Sequence, residues 1–498
     1  MSIGLNTHYG EICRLHRTKD QRNSGCESDM ANISFKPVRR MLILLRLWRP
    51  LLYGAMDRKR LFKWALTVLC VYLVGNVFLR FVHHVQLITY NLYECENMAG
   101  DITSLSQQRW FRIDSKMRSD IWYFSAFYIG PDVDFPASST LIWIIGAKGS
   151  RTANVNMYCQ FWFSPTDSTV LTARVKTKLF KEHHALRYAA AYFTCNVPYN
   201  MKPVGVSLVT HRCENPSNFM LIQYPEKQRW QFTVCVTPLN FRYSKAYELV
   251  EMIEMNRILG ADHFVFYNYS THVNVDKVLQ YYIDKDLVEV VQWHLPMKVD
   301  VWPKIKGHTT EIHYFGQLGA LNDCLYRNRY RSNFLVYQDL DEFIFPYKHQ
   351  NWNEMIESLP RRGVYMFRNT FFRKDWNDTE ELFDGKDLAK KYKSTILLKT
   401  WREAKIFGLR QRSKYIINPR KVDTVGIHNV WKERSASSLI NVPRDVALMH
   451  HYRDWENPHD KTKRDEDQTA LKYKDKLLGK LKTVWSVLKD VELGPLGF

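Results

Sequence analysis

Residues 231–293 read QFTVCVTPLNFRYSKAYELVEMIEMNRILGADHFVFYNYSTHVNVDKVLQYYIDKDLVEVVQW. Three apolar runs stand out, at 231–238 (QFTVCVTP), 263–267 (HFVFY) and 287–293 (LVEVVQW). Each is rich in the β-branched and aromatic residues that favour strands. Between the first two, Ser244 stands where a helix N-cap belongs. Leu249, Met252, Ile253, Asn256 and Leu259 then recur at helical spacing until Gly260 ends the run. Residues 275–283 predict a second, shorter helix. Strand, helix, strand, helix, strand at this spacing predicts a parallel sheet wound right-handedly. A further helix over about 311–330 leads into a fourth strand at 333–338 (NFLVYQ). Ligands of such sheets lie beyond the carboxyl ends of the strands. Two places therefore matter: Leu239, Asn240, Phe241 and Arg242 after the first strand, and the residues just past the fourth.

Immediately past the fourth strand stands Asp339-Leu-Asp341-Glu342-Phe343. Asp-x-Asp is weak in itself, since it also occurs at Asp132/Asp134, Asp284/Asp286 and Asp465/Asp467. Only Asp339 and Asp341 directly follow an apolar strand and precede another apolar run (343–346, FIFP). Two carboxylates at the end of a buried strand repel each other unless a cation lies between them. A divalent metal bridging to a diphosphate answers that, and so does a structural salt bridge. An aspartate-nucleophile phosphatase is disfavoured, because Phe343 stands where that chemistry wants Thr or Val. The chain also lacks a Walker loop and a Gly-x-Ser-x-Gly elbow. A nucleotide-sugar site is the leading expectation.

Outward on the N-terminal side, residues 120–229 are short apolar runs broken by Pro, Gly and Asn, which predicts a β-rich domain. It serves either to bind carbohydrate or to cap the α/β part. Residues 83–119 read as a polar stem. Before them, 64–79 (WALTVLCVYLVGNVFL) holds sixteen residues without a charge. Extended to 61–82, it is long enough to span a bilayer, the alternative being a buried core helix. Residues 1–63 carry 13 Lys/Arg against 5 Asp/Glu, a net of +8. That flank places the 1–60 tail in the cytosol and the rest, type II fashion, across the membrane. The apolar segment 41–56 holds Arg46, Arg49 and Pro50 and reads as interfacial. The whole chain is +20, but it has no zinc finger, RNA-binding aromatic signature or basic heptad, so nucleic acid is not expected as a partner. Six of nine cysteines fall beyond the span: Cys95, Cys159, Cys195, Cys213, Cys235 and Cys324. They allow three disulfides in fifteen connectivities. Asn268 and Asn377 head sequons on that side, and Asn32 heads one in the tail. In the extension 456–498, Leu471, Leu478, Leu481, Trp485 and Leu488 form a helical stripe. It either lies on a membrane or closes the preceding domain.

The segments 254–267 (EMNRILGADHFVFY), 317–327 (QLGALNDCLYR), 337–346 (YQDLDEFIFP), 414–422 (KYIINPRKV) with 426–428 (GIH), and 451–453 (HYR) together resemble glycosyltransferase family 92. The resemblance covers about 230–455. It implies an α/β, Rossmann-like catalytic domain of GT-A type, preceded by the β-rich domain and a single transmembrane helix. It further implies a metal-dependent, inverting, single-pass type II Golgi enzyme. Such an enzyme moves galactose from UDP-galactose to a glycan acceptor on glycoprotein or glycolipid, often in β1,4 linkage. Mn2+ is the expected cofactor. Asp339 and Asp341 match the metal and diphosphate motif, and His428 is the expected third ligand, with His450 and His451 as alternatives. Glu342 either positions sugar hydroxyls or caps the turn. Asn240 and Arg242 lie where the nucleotide belongs, Arg242 as phosphate contact or surface ion pair. Asp375 and Glu403 are the candidates for the base. A different UDP-sugar, or a silent glycan-binding protein on the same fold, are the competing readings.

Overall fold

The computed structural model describes residues 58–96, 98, 110–113, 120–130, 140–151, 155–164, 168–198, 200–434, 439–455 and 461–496. The tail up to residue 57 lies outside them, with the interfacial segment, Asn32, Cys13 and Cys26; so do Asp132 and Asp134. The chain divides into two compact units, Met1–His84 and Val85–Phe498. A single helix, Arg58–Thr89, runs seven residues past the expected end of the span. No Gly or Pro interrupts 83–89, so nothing there stops it. Its portion Phe62–Thr89 is long and apolar enough to cross a membrane.

Among the described residues, ten strands between Tyr93 and Gln223 make one sheet. The expected stem contributes to it. Tyr93–Cys95 pairs with Val170–Arg174, and Phe111–Arg112 with Ile121–Ile129, because Leu92, Cys95, Phe111 and Ile113 are apolar and buried. A disulfide, Cys159–Cys195, joins the Tyr158–Trp162 and Tyr188–Val197 strands, which four others separate in the sheet order. The sheet is therefore rolled, and Ala191, Phe193, Cys195 and Val197 point into its own core. The alternate residues Tyr188, Ala190 and Tyr192 face outward into a second core. Ile121–Ile129 does the same through a bulge after Tyr123, which shifts the inward set from Ile121 and Tyr123 to Ala126 and Tyr128. Both faces are covered, which explains the near-continuous apolar runs.

The outward face packs on the helix Gln317–Arg327, buried from Gln317 to Tyr326. The other side of that helix lies on a seven-stranded sheet. In that sheet Val288–Gln292, His263–Asn268, Trp230–Cys235 and Ser332–Tyr337 are parallel neighbours, as expected. Lys414–Ile417 then joins Ser332–Tyr337 antiparallel, followed by Val364–Phe367 and Leu439–Asn441. Because the rolled sheet and the α/β sheet share one core, the boundary at 229/230 does not separate two bodies. Cys235–Cys324 ties the first strand to the intervening helix, and Cys95–Cys213 closes the third pair.

The opposite face of the α/β sheet is covered by Ala246–Leu259, Val273–Ile283 and the C-terminal helix Lys474–Val487. Gly260 ends the first of these at φ 117°, a conformation costly for other residues. Ser244 does not cap it; its hydroxyl exchanges hydrogen bonds with the backbone of Leu496. Leu477, Leu478, Leu481, Val484 and Trp485 are buried, so the C-terminal stripe closes the domain and the boundary at 455/456 lies inside one core. A five-stranded sheet runs in the order Glu342–Pro346, Ala447–Arg453, Asn369–Arg373, Trp401–Glu403 and Arg464–Glu466, and Val422–Val425 pairs with Val430–Glu433 in a two-stranded one.

Candidate active site

Three carboxylates gather where the first and fourth parallel strands end. Thr237, just past Trp230–Cys235, donates its hydroxyl to Asp339 Oδ1 at 2.8 Å. The Lys414 ammonium, heading the antiparallel strand, donates to Asp339 Oδ2 at 2.8 Å and lies 3.0 Å from Glu342 Oε2. The Asp339 N–H donates to Glu342 Oε2 at 2.8 Å, so Glu342 caps the turn, one of the two roles expected of it. Asp341 is pinned by its carbonyl, which accepts the Tyr452 N–H at 2.8 Å. The antiparallel pairing of Glu342 with His451 brings that imidazole between two carboxylates, 3.4 Å from Asp341 Oδ2 and 3.3 Å from Glu342 Oε1.

The electrostatics follow from this packing. Burial pushes the Asp339 carboxyl up, but Lys414 outweighs it and holds the group below the usual range. Asp341 is likewise opposed by burial and brought down to about 2, chiefly by His451. Burial lowers the His451 pKa, yet Asp341 carries it above the ordinary value. Burial raises Glu342 to about 6, with Lys414 pulling the other way.

His428 lies beside the Lys414–Asp339 pair. Burial first and Lys414 second bring it down to about 4, against the attraction of Asp339. Its Nδ1 is buried without a hydrogen-bond partner. The turn that carries it needs Gly426, where a Cβ would meet the Trp431 indole at 2.2 Å. His450 points to the other face, against Tyr347 and Asp467, and is not part of the cluster.

The remaining expected residues are placed unequally. Asn240 turns its amide back to the Pro238 carbonyl at 3.0 Å, and Arg242 is exposed with no ion pair among the described residues. Phe241 and Arg242 have φ of 52° and 50°, and Tyr314 and Phe315 have 38° and 54°. These two left-handed bends meet through the Phe241 and Phe315 rings, 5.0 Å apart, and Tyr314 feels both aspartates. Backbone held this way gathers at binding sites. Asp375 is held by Arg373 at 2.6 Å, an ion pair that lowers its pKa and makes it a poor base. Glu403 is buried on the sheet face that holds His451, two strands away across Phe371.

Lys414 and Thr237 join the cluster although the sequence pattern did not single them out. The signal for both is positional: each is a polar residue at the end of an apolar strand that neighbours Ser332–Tyr337 or the first strand. Among the described residues, no three His, Cys, Asp or Glu side chains stand close enough to enclose a metal. The donor chemistry nevertheless fits one. Two ionised carboxylates and a neutral imidazole with an orphaned, buried nitrogen are the oxygen and nitrogen donors that Mn2+ takes.

These carboxylates stand beyond the ends of parallel strands, the place where α/β sheets commonly hold their ligands. The sequence profile of glycosyltransferase family 92 matches residues 231–483, and the chain belongs to that family. The β-1,4-galactosyltransferase galt-1 of Caenorhabditis elegans is 26% identical over 181 residues, which is 34% of this chain and 40% of that one. The galactan β-1,4-galactosyltransferase GALS2 of Arabidopsis thaliana is 26% identical over 117 residues, 23% of this chain and 21% of its own. The matches thus span less than half of either relative. Among solved structures, Staphylococcus aureus TarS with UDP-GlcNAc overlaps at 11% identity and a TM-score of 0.25, covering 52% of this chain and 73% of that one. That superposition is too slight to bear on fold or function.

Proposed function

We propose that this chain is an inverting galactosyltransferase of GT-A type that moves galactose from UDP-galactose to a glycan acceptor in β1,4 linkage. The observation that carries the reading is the cluster of half-buried Asp339 and Asp341 with buried Glu342, gathered where two parallel strands end. Membership of the family and the names of two relatives support the sugar and the linkage. Asp339, Asp341 and His428 would hold Mn2+; His428 is preferred over His451 because its Nδ1 has no hydrogen-bond partner, whereas both ring nitrogens of His451 already face Asp341 and Glu342. The metal would supply positive charge to the departing diphosphate.

The chain's own residues divide the remaining work. Lys414 and His451 keep two carboxylates ionised and aligned before substrate arrives. The left-handed bends at Phe241 and Tyr314 offer aromatic faces to the uracil. Glu403, which is desolvated, takes the proton of the acceptor hydroxyl in place of Asp375, which the Arg373 ion pair disables. The apolar helix anchors the protein in the Golgi membrane with the catalytic unit in the lumen.

One observation favours a second reading, a silent glycan-binding protein: Lys414 already balances the charge of Asp339 without a metal. Calorimetric titration with UDP, with Mn2+ or with a chelator, separates the two. The enzyme reading expects Mn2+-dependent UDP binding that Asp341→Asn weakens by about a hundredfold. Binding that is unchanged by chelator and by Asp341→Asn would contradict it.

A further inference from the structure

We propose that the mouth of the rolled sheet is a second binding site, for an oligosaccharide that carries acidic groups. It is separate from the carboxylate cluster and goes beyond the transferase reading. A cavity of about 550 Å3 opens there, within the usual range for ligand sites and in a place where rolled sheets commonly bind them. It lies at the ends of the Tyr158–Trp162, Val170–Arg174 and Tyr188–Val197 strands, the first and last of which the Cys159–Cys195 disulfide ties together.

Its lining is chemically one-sided. Arg174, Lys176 and Arg212 contribute three cations, and none of the lining side chains is acidic. Arg212 is preorganised: its guanidinium lies 5.3 Å over the Tyr93 ring and 5.5 Å over the Tyr158 ring. Stacking that fixes the plane leaves the N–H edge to grip a carboxylate or sulfate. Arg174 is steadied by the Asn156 amide oxygen at 2.8 Å. Around these cations stand uncharged hydrogen-bonding and aromatic groups, Tyr90, Tyr158 and Asn196. Tyrosine faces and amide groups suit sugar rings, and the volume suits two or three of them. A phospholipid headgroup is the lesser fit. The basic flank Arg58–Lys63 places the other end of the helix on the cytosolic side, where anionic lipid concentrates.

The test uses the full chain in phosphatidylcholine nanodiscs, titrated calorimetrically with a glucuronate-terminated trisaccharide and with its neutral glucose-terminated counterpart. Because the protein carries a net charge of +20, the variant Lys476→Ala/Lys482→Ala/Lys489→Ala controls for diffuse attraction. The expected result is saturable binding of the acidic trisaccharide only. Arg212→Ala/Lys176→Ala should weaken it about tenfold or more, with thermal midpoint and UDP affinity unchanged, and the control variant should bind normally. Equal binding of the neutral sugar, equal loss in the control variant, or no loss in Arg212→Ala/Lys176→Ala would overturn the proposal. Repeating the titration with phosphatidylserine in the disc covers the lipid: competition by the disc itself would also overturn it. UDP affinity reports on the carboxylate cluster alone, so failure here and failure of the transferase reading are distinguishable.

Discussion

Lys414 is a full positive charge with its side chain 3% exposed, tolerable only because Asp339 and Glu342 lie within 3.0 Å. Removing one partner of such a group leaves charge uncompensated in a poor dielectric. Lys414→Met should therefore destabilise the protein by about 3–5 kcal/mol in denaturant unfolding. Adding Glu342→Gln should recover part of that loss, because one of the two stranded carboxylates is then neutral. Asp341→Asn behaves differently: it is expected to keep the fold and to lower transfer by about a hundredfold or more. Far-UV circular dichroism and a transfer assay on the same preparation check both halves. At this scale the sequence was only partly legible. The position of Asp339 and Asp341 after an apolar strand marked them. Lys414 was hidden because its partners lie 75 and 72 residues away in sequence, and only the antiparallel pairing of Lys414–Ile417 with Ser332–Tyr337 brings them together. The partner of Asp375 was hidden for a local reason: Arg373 is two residues off, on a strand whose facing could not be read.

The helix Ala246–Leu259 carries an unusual load of buried acid. Glu248 meets Lys374 at 2.8 Å and Glu254 meets Arg257 at 2.9 Å, whereas Glu251 accepts from the Ser394 hydroxyl and the Thr395 N–H. Burial raises its pKa to about 7, above the ordinary 4.5, with those hydrogen bonds opposing. A carboxyl raised on folding stabilises fully below 4.5 and loses that contribution as pH climbs through 7. The midpoint of thermal unfolding should accordingly decline as pH rises from about 5 to about 7.5, and Glu251→Gln should flatten that slope. The disulfide Cys235–Cys324 pins the first strand to the helix lying between two sheets. Cys235→Ser/Cys324→Ser should cost about 2–5 kcal/mol in the same unfolding experiment. Periodicity made the parallel strands and their helices readable in order. The extra antiparallel strands were not, since Lys414–Ile417 and Val364–Phe367 are each four residues long and too short to show a period.

Across the whole molecule, the apolar helix Phe62–Thr89 is long enough to cross a membrane, and that bears on glycosylation. If the unit from Val85 onward lies in the secretory lumen, the sequons there meet the glycosylation machinery. Asn377 is exposed, whereas Asn268 ends a strand and donates its amide to Thr271 at 2.9 Å. One glycan is therefore expected, lost in Asn377→Gln and retained in Asn268→Gln, read as a mobility shift after endoglycosidase treatment. Two apolar cores, one on each face of the α/β sheet, explain why a domain boundary expected at 230 does not exist as a physical division. Composition marks the change from all-β to α/β texture, but it does not reveal that the helix Gln317–Arg327 is shared by both.

The central claim is that the carboxylate cluster activates a nucleotide sugar. The most direct measurement is release of UDP by the purified full chain offered UDP-galactose, UDP-glucose and UDP-N-acetylhexosamines, with Mn2+ or with a chelator, and with and without galactose-, fucose- and N-acetylglucosamine-terminated acceptors. The account predicts release that requires Mn2+, is confined to UDP-galactose and rises with one acceptor. Release from folded protein that ignores the chelator, or no release from any donor, would contradict it.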